Sequence, residues 1–227
     1  MSSLNKKFLM AVTGIFLLVF VVAHLLGNLQ IFLGPDWMNG YSKHLEELPL
    51  ALWPARVFLL VTLCVHMGTG IALAFQNRAA RPVLYARSGT VQASAASRTM
   101  VFSGLAIFFF VIFHLLHFTF DAVQPQFTHF TDAKGRQDVY SMVILSFQNG
   151  PIAATYLLAM LFLMAHLSHG AASFLQTLGL LRESSLPKAK IFARLFALAV
   201  FVGYTSIPAS AYVGWLKPLH GGLPLGS

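Results

Sequence analysis

Long apolar runs broken by short polar stretches dominate this chain. Five stand out, at about Phe8–Leu33, Pro54–Phe75, Arg98–Phe120, Pro151–Leu178 and Phe192–Trp215. Each reaches the roughly 20 residues that a helix rising about 1.5 Å per residue needs to cross a hydrocarbon core of about 30 Å. Inside lipid every backbone N–H and C=O must be satisfied within the segment, which an α-helix does. The pattern predicts an all-α integral membrane bundle of five transmembrane helices, organised as a single domain over residues 1–227. The first run follows Lys6 and Lys7, as a signal peptide would, but it is far longer than a signal core and no small-residue cleavage site follows it. It is expected to be a retained span. Pro208 falls inside the fifth run and predicts a kink. The longest polar interruption, residues 121–150, is expected to form a small extramembrane cap. No internal repeat or low-complexity tract is evident.

Composition agrees with a lipid-facing surface. Hydrophobic residues make up 57% of the chain and charged residues 10%, against about 25% charged in soluble domains. The formal net charge is +8, but the basic residues lie between apolar runs without clustering, which argues for membrane topology and against nucleic acid. With the N-terminus inside, ten basic residues face inward: Lys6, Lys7, Arg78, Arg81, Arg87, Arg98, Arg182, Lys188, Lys190 and Arg194. Five face outward: Lys43, Arg56, Lys134, Arg136 and Lys217. This excess favours an inner N-terminus and, with five spans, an outer C-terminus. The single cysteine, Cys64, excludes an intrachain disulfide, and no C-x-x-C-H motif offers covalent haem attachment.

The five spans are rich in histidine and carry no Asp or Glu. His24 lies in the first, His66 in the second, His114 and His117 in the third, His166 and His169 in the fourth. Ionisable groups at membrane depth are costly and point to function, although a single one can serve as an interhelical hydrogen bond. Depth makes the joint pattern specific. His24 follows Phe8, and His114 follows Arg98, by 16 residues; each lies about 24 Å above the inner face. His66 and His166 sit on helices running inward, about 8–12 Å above that face. One pair therefore falls near the outer surface and one near the inner. Two facing imidazoles suit the axial positions of a haem iron, whereas zinc asks for more ligands at each level. Residues i and i+3 share a helix face, so periodicity does not separate His114 from His117 or His166 from His169; depth slightly favours His114. Gly27, Gly68, Gly70, Gly104 and Gly170 are open either to close approach by a flat macrocycle or to ordinary helix packing.

These residues resemble the cytochrome b membrane anchor of succinate dehydrogenases and fumarate reductases, in its single-subunit, five-helix, two-haem class. The resemblance rests on His24-Leu25, on Val65-His66-Met67-Gly68-Thr69-Gly70, on Phe113-His114 and on Ala165-His166-Leu167-Ser168. The stretch from Asn39 to Pro49, with His44, Glu46 and Glu47, and the Ser97-Arg98 start of the third span also match. It covers nearly the whole chain in length, order and spacing. The resemblance implies two haems b: an outer one held by His24 and His114, an inner one held by His66 and His166, with Arg98 toward a haem propionate. It further implies a flavoprotein subunit and an iron–sulfur subunit on the inner face, membrane lipid and a quinone, usually menaquinone, as further partners, and a place in a bacterial cytoplasmic membrane. A higher oligomer of the complex is compatible with it. Some members carry a glutamate two residues before the fourth-span ligand; here that residue is Met164. The quinone is expected near His44, Glu46 and Glu47, because quinone chemistry moves protons and the spans carry no carboxylate.

The chain carries no flavin or dinucleotide fingerprint and no Cys-rich cluster motif, so it is not expected to oxidise succinate alone. Two other classes compete: the haem anchor of a hydrogenase or formate dehydrogenase, told apart by the flavin of a co-purified partner, and a non-redox transporter with histidine proton relays, which would purify colourless.

Overall fold

The computed structural model describes residues 2–79 and 99–220. Among them are seven α-helices: α1 (Ser3–Leu29), α2 (Pro35–Glu46), α3 (Pro49–Ala79), α4 (Met100–Phe118), α5 (Val139–Gln148), α6 (Gly150–Thr177) and α7 (Leu186–Tyr212). Short 3₁₀ turns occur at Gln30–Leu33, Pro125–Phe127 and Glu183–Ser185. Thr131 and Gln137 form an isolated bridge, and the described residues contain no strand.

Helices α1, α3, α4, α6 and α7 are long and apolar enough to cross a membrane, and they coincide with the five apolar runs. Their sides remain apolar and open: Val19, Phe102 and Leu195 are 62%, 64% and 61% exposed. Such surface suits lipid and not water. The ends shift by a few residues. Pro54, expected to open the second span, lies inside α3, which starts at Pro49, where proline's missing N–H has no helical partner to lose. α7 begins at Leu186, six residues before the apolar run, with Pro187 in its first turn. It continues through Pro208 to Tyr212.

The described residues divide into two compact units. The first comprises residues 2–20, 57–79, 99–108 and 162–199. Small side chains let its helices approach: Ala171, Ala172 and Ala193 are buried together against Phe174 and Phe196. Phe16 meets Phe58 edge-on at 5.1 Å, and Phe102 meets Phe162 at 5.6 Å.

The second unit comprises residues 21–56, 109–161 and 200–220. The segment between α1 and α3 is mostly helical, forming α2, whose Tyr41 lies over Gly27 of α1. The segment expected as a cap contains α5, in which every residue from Tyr140 to Phe147 is buried. Its core joins Ile31, Met38, Phe127, Tyr156 and Ile207. A polar network ties α2 to α5. Asn39, fully buried, donates from Nδ2 to Asp138 Oδ1 at 3.0 Å and to Asp132 Oδ2 at 3.3 Å, and its Oδ1 accepts from the Tyr140 N–H at 2.9 Å. Asp138 also caps α5 by accepting from the Ser141 N–H at 3.1 Å. Arg136 bridges Asp132 and Asp36 at 2.6 and 2.7 Å, and Lys134 reaches Asp36 at 2.6 Å. Burial alone would raise the Asp132 carboxyl, but hydrogen bonds from Arg136, the Lys134 N–H and Asn39 prevail and pull it down to about 2. The side-chain hydrogen bonds from Lys134 and Arg136 likewise lower Asp36.

Candidate functional site

Each compact unit contains one pair of histidines with their rings set edge to face. In the second unit His24 of α1 meets His114 of α4 with ring centres 5.8 Å apart and planes at 88°. In the first, His66 of α3 meets His166 of α6 at 6.3 Å and 67°. The depth arithmetic matched the same partners. A metal held between two imidazole nitrogens at about 2 Å each sets ring centres roughly 6 Å apart, so both pairs have the spacing of a shared metal.

The ring nitrogens distinguish what the rings can do. His66 Nδ1 lies 3.1 Å from Thr13 Oγ1, and Thr13 donates its own hydrogen to the Leu9 carbonyl at 2.7 Å. With that hydrogen committed, the hydroxyl oxygen accepts from His66 Nδ1–H, and Nε2 keeps its lone pair. His166 Nδ1 repeats this on Ser103 Oγ at 3.2 Å, while Ser103 donates to the Met100 carbonyl at 3.1 Å. Thr13 and Ser103 are both buried. Such partners orient a metal-ligating histidine and select its tautomer.

Next to these hydroxyls lie Gly14 and Gly104. A Cβ on Gly14 would stand 3.3 Å from His66 Cε1, and one on Gly104 3.4 Å from His166 Cε1. Thr13, Ser103 and Gly14 were not singled out from the sequence, yet a signal exists. Met10, Thr13, Gly14 and His24 recur as Met100, Ser103, Gly104 and His114 at a constant offset of 90 residues. His66 and His166 are each followed four positions later by a glycine, Gly70 and Gly170. The absence of an internal repeat therefore needs correcting: α1 and α4 share a short pattern because each cradles one imidazole of one pair and supplies an imidazole to the other.

The doublet in α4 is resolved by hydrogen bonding. His117 is 3% exposed and uses both nitrogens: Nδ1 lies 2.9 Å from Tyr156 Oη, Nε2 2.8 Å from Gln124 Oε1. His114 faces His24 and its Nδ1 lies 3.2 Å from the same Tyr156 hydroxyl. Rings of Phe110, Phe113, Phe118 and Phe147 surround Tyr156. In α6, His166 is the member that faces His66, with His169 one turn further along. His24 stands against Tyr204, whose hydroxyl donates to the Val21 carbonyl at 2.7 Å.

The remaining expectations divide. Gly104 lies against a pair histidine. Gly27 does not provide space for a macrocycle, because a Cβ there would meet Tyr41 Oη at 2.8 Å: this glycine serves the packing of α2 on α1. Gly70 packs under Met10, and Gly68 and Gly170 have open space before them. His44, Glu46 and Glu47 end α2 in the same unit as His24 and His114; all three are exposed, and Glu46 approaches Lys43 at 3.8 Å. Arg98 lies outside the described residues. No protein-family model, curated protein or solved structure matches the chain.

Proposed function

We propose that this chain is the dihaem cytochrome b anchor of a succinate:quinone oxidoreductase, a succinate dehydrogenase or fumarate reductase of a bacterial cytoplasmic membrane. The observation that carries the reading is the pair of histidine pairs, drawn from four apolar helices and spaced so that each pair could share one metal. Two imidazoles alone are the donor set for a metal whose other positions a macrocycle fills. His24 and His114 would hold one haem b and His66 and His166 the other, with Arg98 as the candidate partner of a propionate. Thr13 and Ser103 fix the inner ligands through Nδ1, and Gly14 and Gly104 let those rings lie against α1 and α4. When bound, haem iron supplies one-electron transfer between an iron–sulfur subunit and a membrane quinone, menaquinone in this class.

The iron–sulfur and flavoprotein subunits dock on the inner face, where the basic residues gather. His44, Glu46 and Glu47 exchange the quinone's protons. They sit in the unit that holds His24 and His114 and, unlike the spans, offer carboxylates.

A pyridine haemochrome assay on the purified complex tests the central claim. About two non-covalent haems per chain are expected; a value near zero, or covalently retained haem, would remove it. In the same preparation, Glu46→Gln with Glu47→Gln should abolish quinone-linked turnover and leave both haem spectra intact. Full activity would take these residues out of the quinone site.

A further inference from the structure

The hydroxyl of Tyr156 lies between two histidines, 3.2 Å from His114 Nδ1 and 2.9 Å from His117 Nδ1. A phenol carries one hydrogen, so it donates to one imidazole and accepts from the other. Which way it points is decided further along. His117 Nε2 lies 2.8 Å from Gln124 Oε1, a carbonyl oxygen that only accepts. His117 therefore carries its hydrogen on Nε2 and donates it to Gln124. Its Nδ1 is then a bare acceptor and takes the Tyr156 hydrogen, consistent with the shorter of the two contacts. The Tyr156 oxygen is left to accept from His114 Nδ1–H. His114 Nε2 ends with a lone pair and no proton.

We infer that Gln124, His117 and Tyr156 form a tautomer relay: three hydrogen bonds, all running one way, that set His114 as an Nδ1–H imidazole with Nε2 free for a metal. The relay assigns a role to the second histidine of the doublet. His117 is a positioning residue, and the first instruction comes from Gln124, beyond the end of α4. Reversing the end of the chain reverses everything: a donor at position 124 would place the His117 proton on Nδ1, turn Tyr156 toward His114, and leave His114 Nε2 protonated. At the other pair each histidine meets a hydroxyl whose hydrogen is already committed to a backbone carbonyl, together with the carbonyl of Met10 or Met100. The two pairs thus reach the same tautomer by different means, one local and one reaching a loop. The value of the relay for metal binding rests on the reading of His114 as a haem ligand; the tautomers themselves do not.

¹⁵N NMR of the full chain, labelled in histidine and purified in lipid, measures the tautomers directly, with His114 and His117 assigned by substitution. His117 should be protonated on Nε2 and His114 on Nδ1. Gln124→Leu removes the terminal acceptor, so His117 should become a mixture of tautomers. In the haem-loaded chain this variant should also shift the midpoint potential of the His24–His114 component and leave the other component unmoved, which serves as the folding control. Gln124→Glu keeps an acceptor and should restore the His117 tautomer. His117 protonated on Nδ1 in the unaltered chain would overturn the relay. So would a Gln124→Leu chain in which neither that tautomer nor the component moves. Haem content of the same samples separates the two claims: absent haem removes the ligand reading, while the NMR still judges the relay.

Discussion

A neutral imidazole offers one donor and one acceptor, so the partner of one nitrogen decides what the other can do. At His66 and His166 that partner is a buried hydroxyl, and at His114 it is a tyrosine. Redox titration of single variants should show the consequences. His24→Ala and His114→Ala should lose the same haem component, and His66→Ala and His166→Ala the other. Loss of one shared component by the His24 and His66 variants would break the pairing. Thr13→Val and Ser103→Ala keep size close but remove the hydroxyl acceptor and leave each imidazole only the backbone carbonyl of Met10 or Met100. Loss of such an outer partner lowers metal affinity about 10–100-fold, so haem titration of these variants should weaken the His66–His166 site selectively. Unchanged affinity would mean that the hydroxyls serve helix packing only.

Among the elements, α2 and α5 are the ones that hydropathy describes least well. α5 has ten residues, too few to span a bilayer, and is buried because the surrounding core covers it on all sides. Asn39 joins α2 to the start of α5 through both ends of its amide. Asn39→Ala leaves the buried Tyr140 N–H without its acceptor and removes one of the two hydrogen bonds to Asp138 Oδ1, which keeps the Ser141 N–H. An unsatisfied buried group costs about 1–3 kcal/mol, and a fall in melting temperature with faster proteolysis of residues 121–138 is the expected outcome. Acid acts on the same network. A carboxyl held below its free value stabilises the fold fully above that free value, and the contribution is lost as pH falls through the folded one. For Asp132, lowered from 3.8 to about 2, the near-UV circular dichroism of this region should hold at pH 5 and decay between about pH 4 and 2. Asp36 adds in the same direction, weakened by its exposure.

At the scale of the molecule, five apolar helices and an uneven distribution of basic residues define how the chain meets a membrane. All three tryptophans are exposed and belong to the second unit: Trp37 on α2, Trp53 near the start of α3 and Trp215 after α7. Indoles settle at the headgroup level, so this unit carries one membrane interface. The inner N-terminus expected from the positive-inside rule would make it the outer one. The single native cysteine makes a direct test simple. In a Cys64→Ser background, Gln126→Cys should react with a membrane-impermeant maleimide on intact cells, and Ser184→Cys only after permeabilisation. The reverse labelling would invert the orientation and move the proposed docking face with it.

The sequence by itself determined the class, the five spans and the membership of the histidine pairs. The first two follow from lipid physics, since a backbone without water must bond to itself over a fixed thickness. The third follows from helical rise, which turns residue number into depth. Tertiary structure decided what periodicity leaves degenerate. His114 and His117 share a helix face, and only Tyr156 and Gln124, one of them 39 residues beyond His117, separate the member that faces His24 from the member that is fully hydrogen-bonded. Thr13 and His66 are 53 residues apart, and Ser103 and His166 are 63 apart. A hydrogen bond depends on where two helices bring their side chains together, and that placement belongs to the packed bundle.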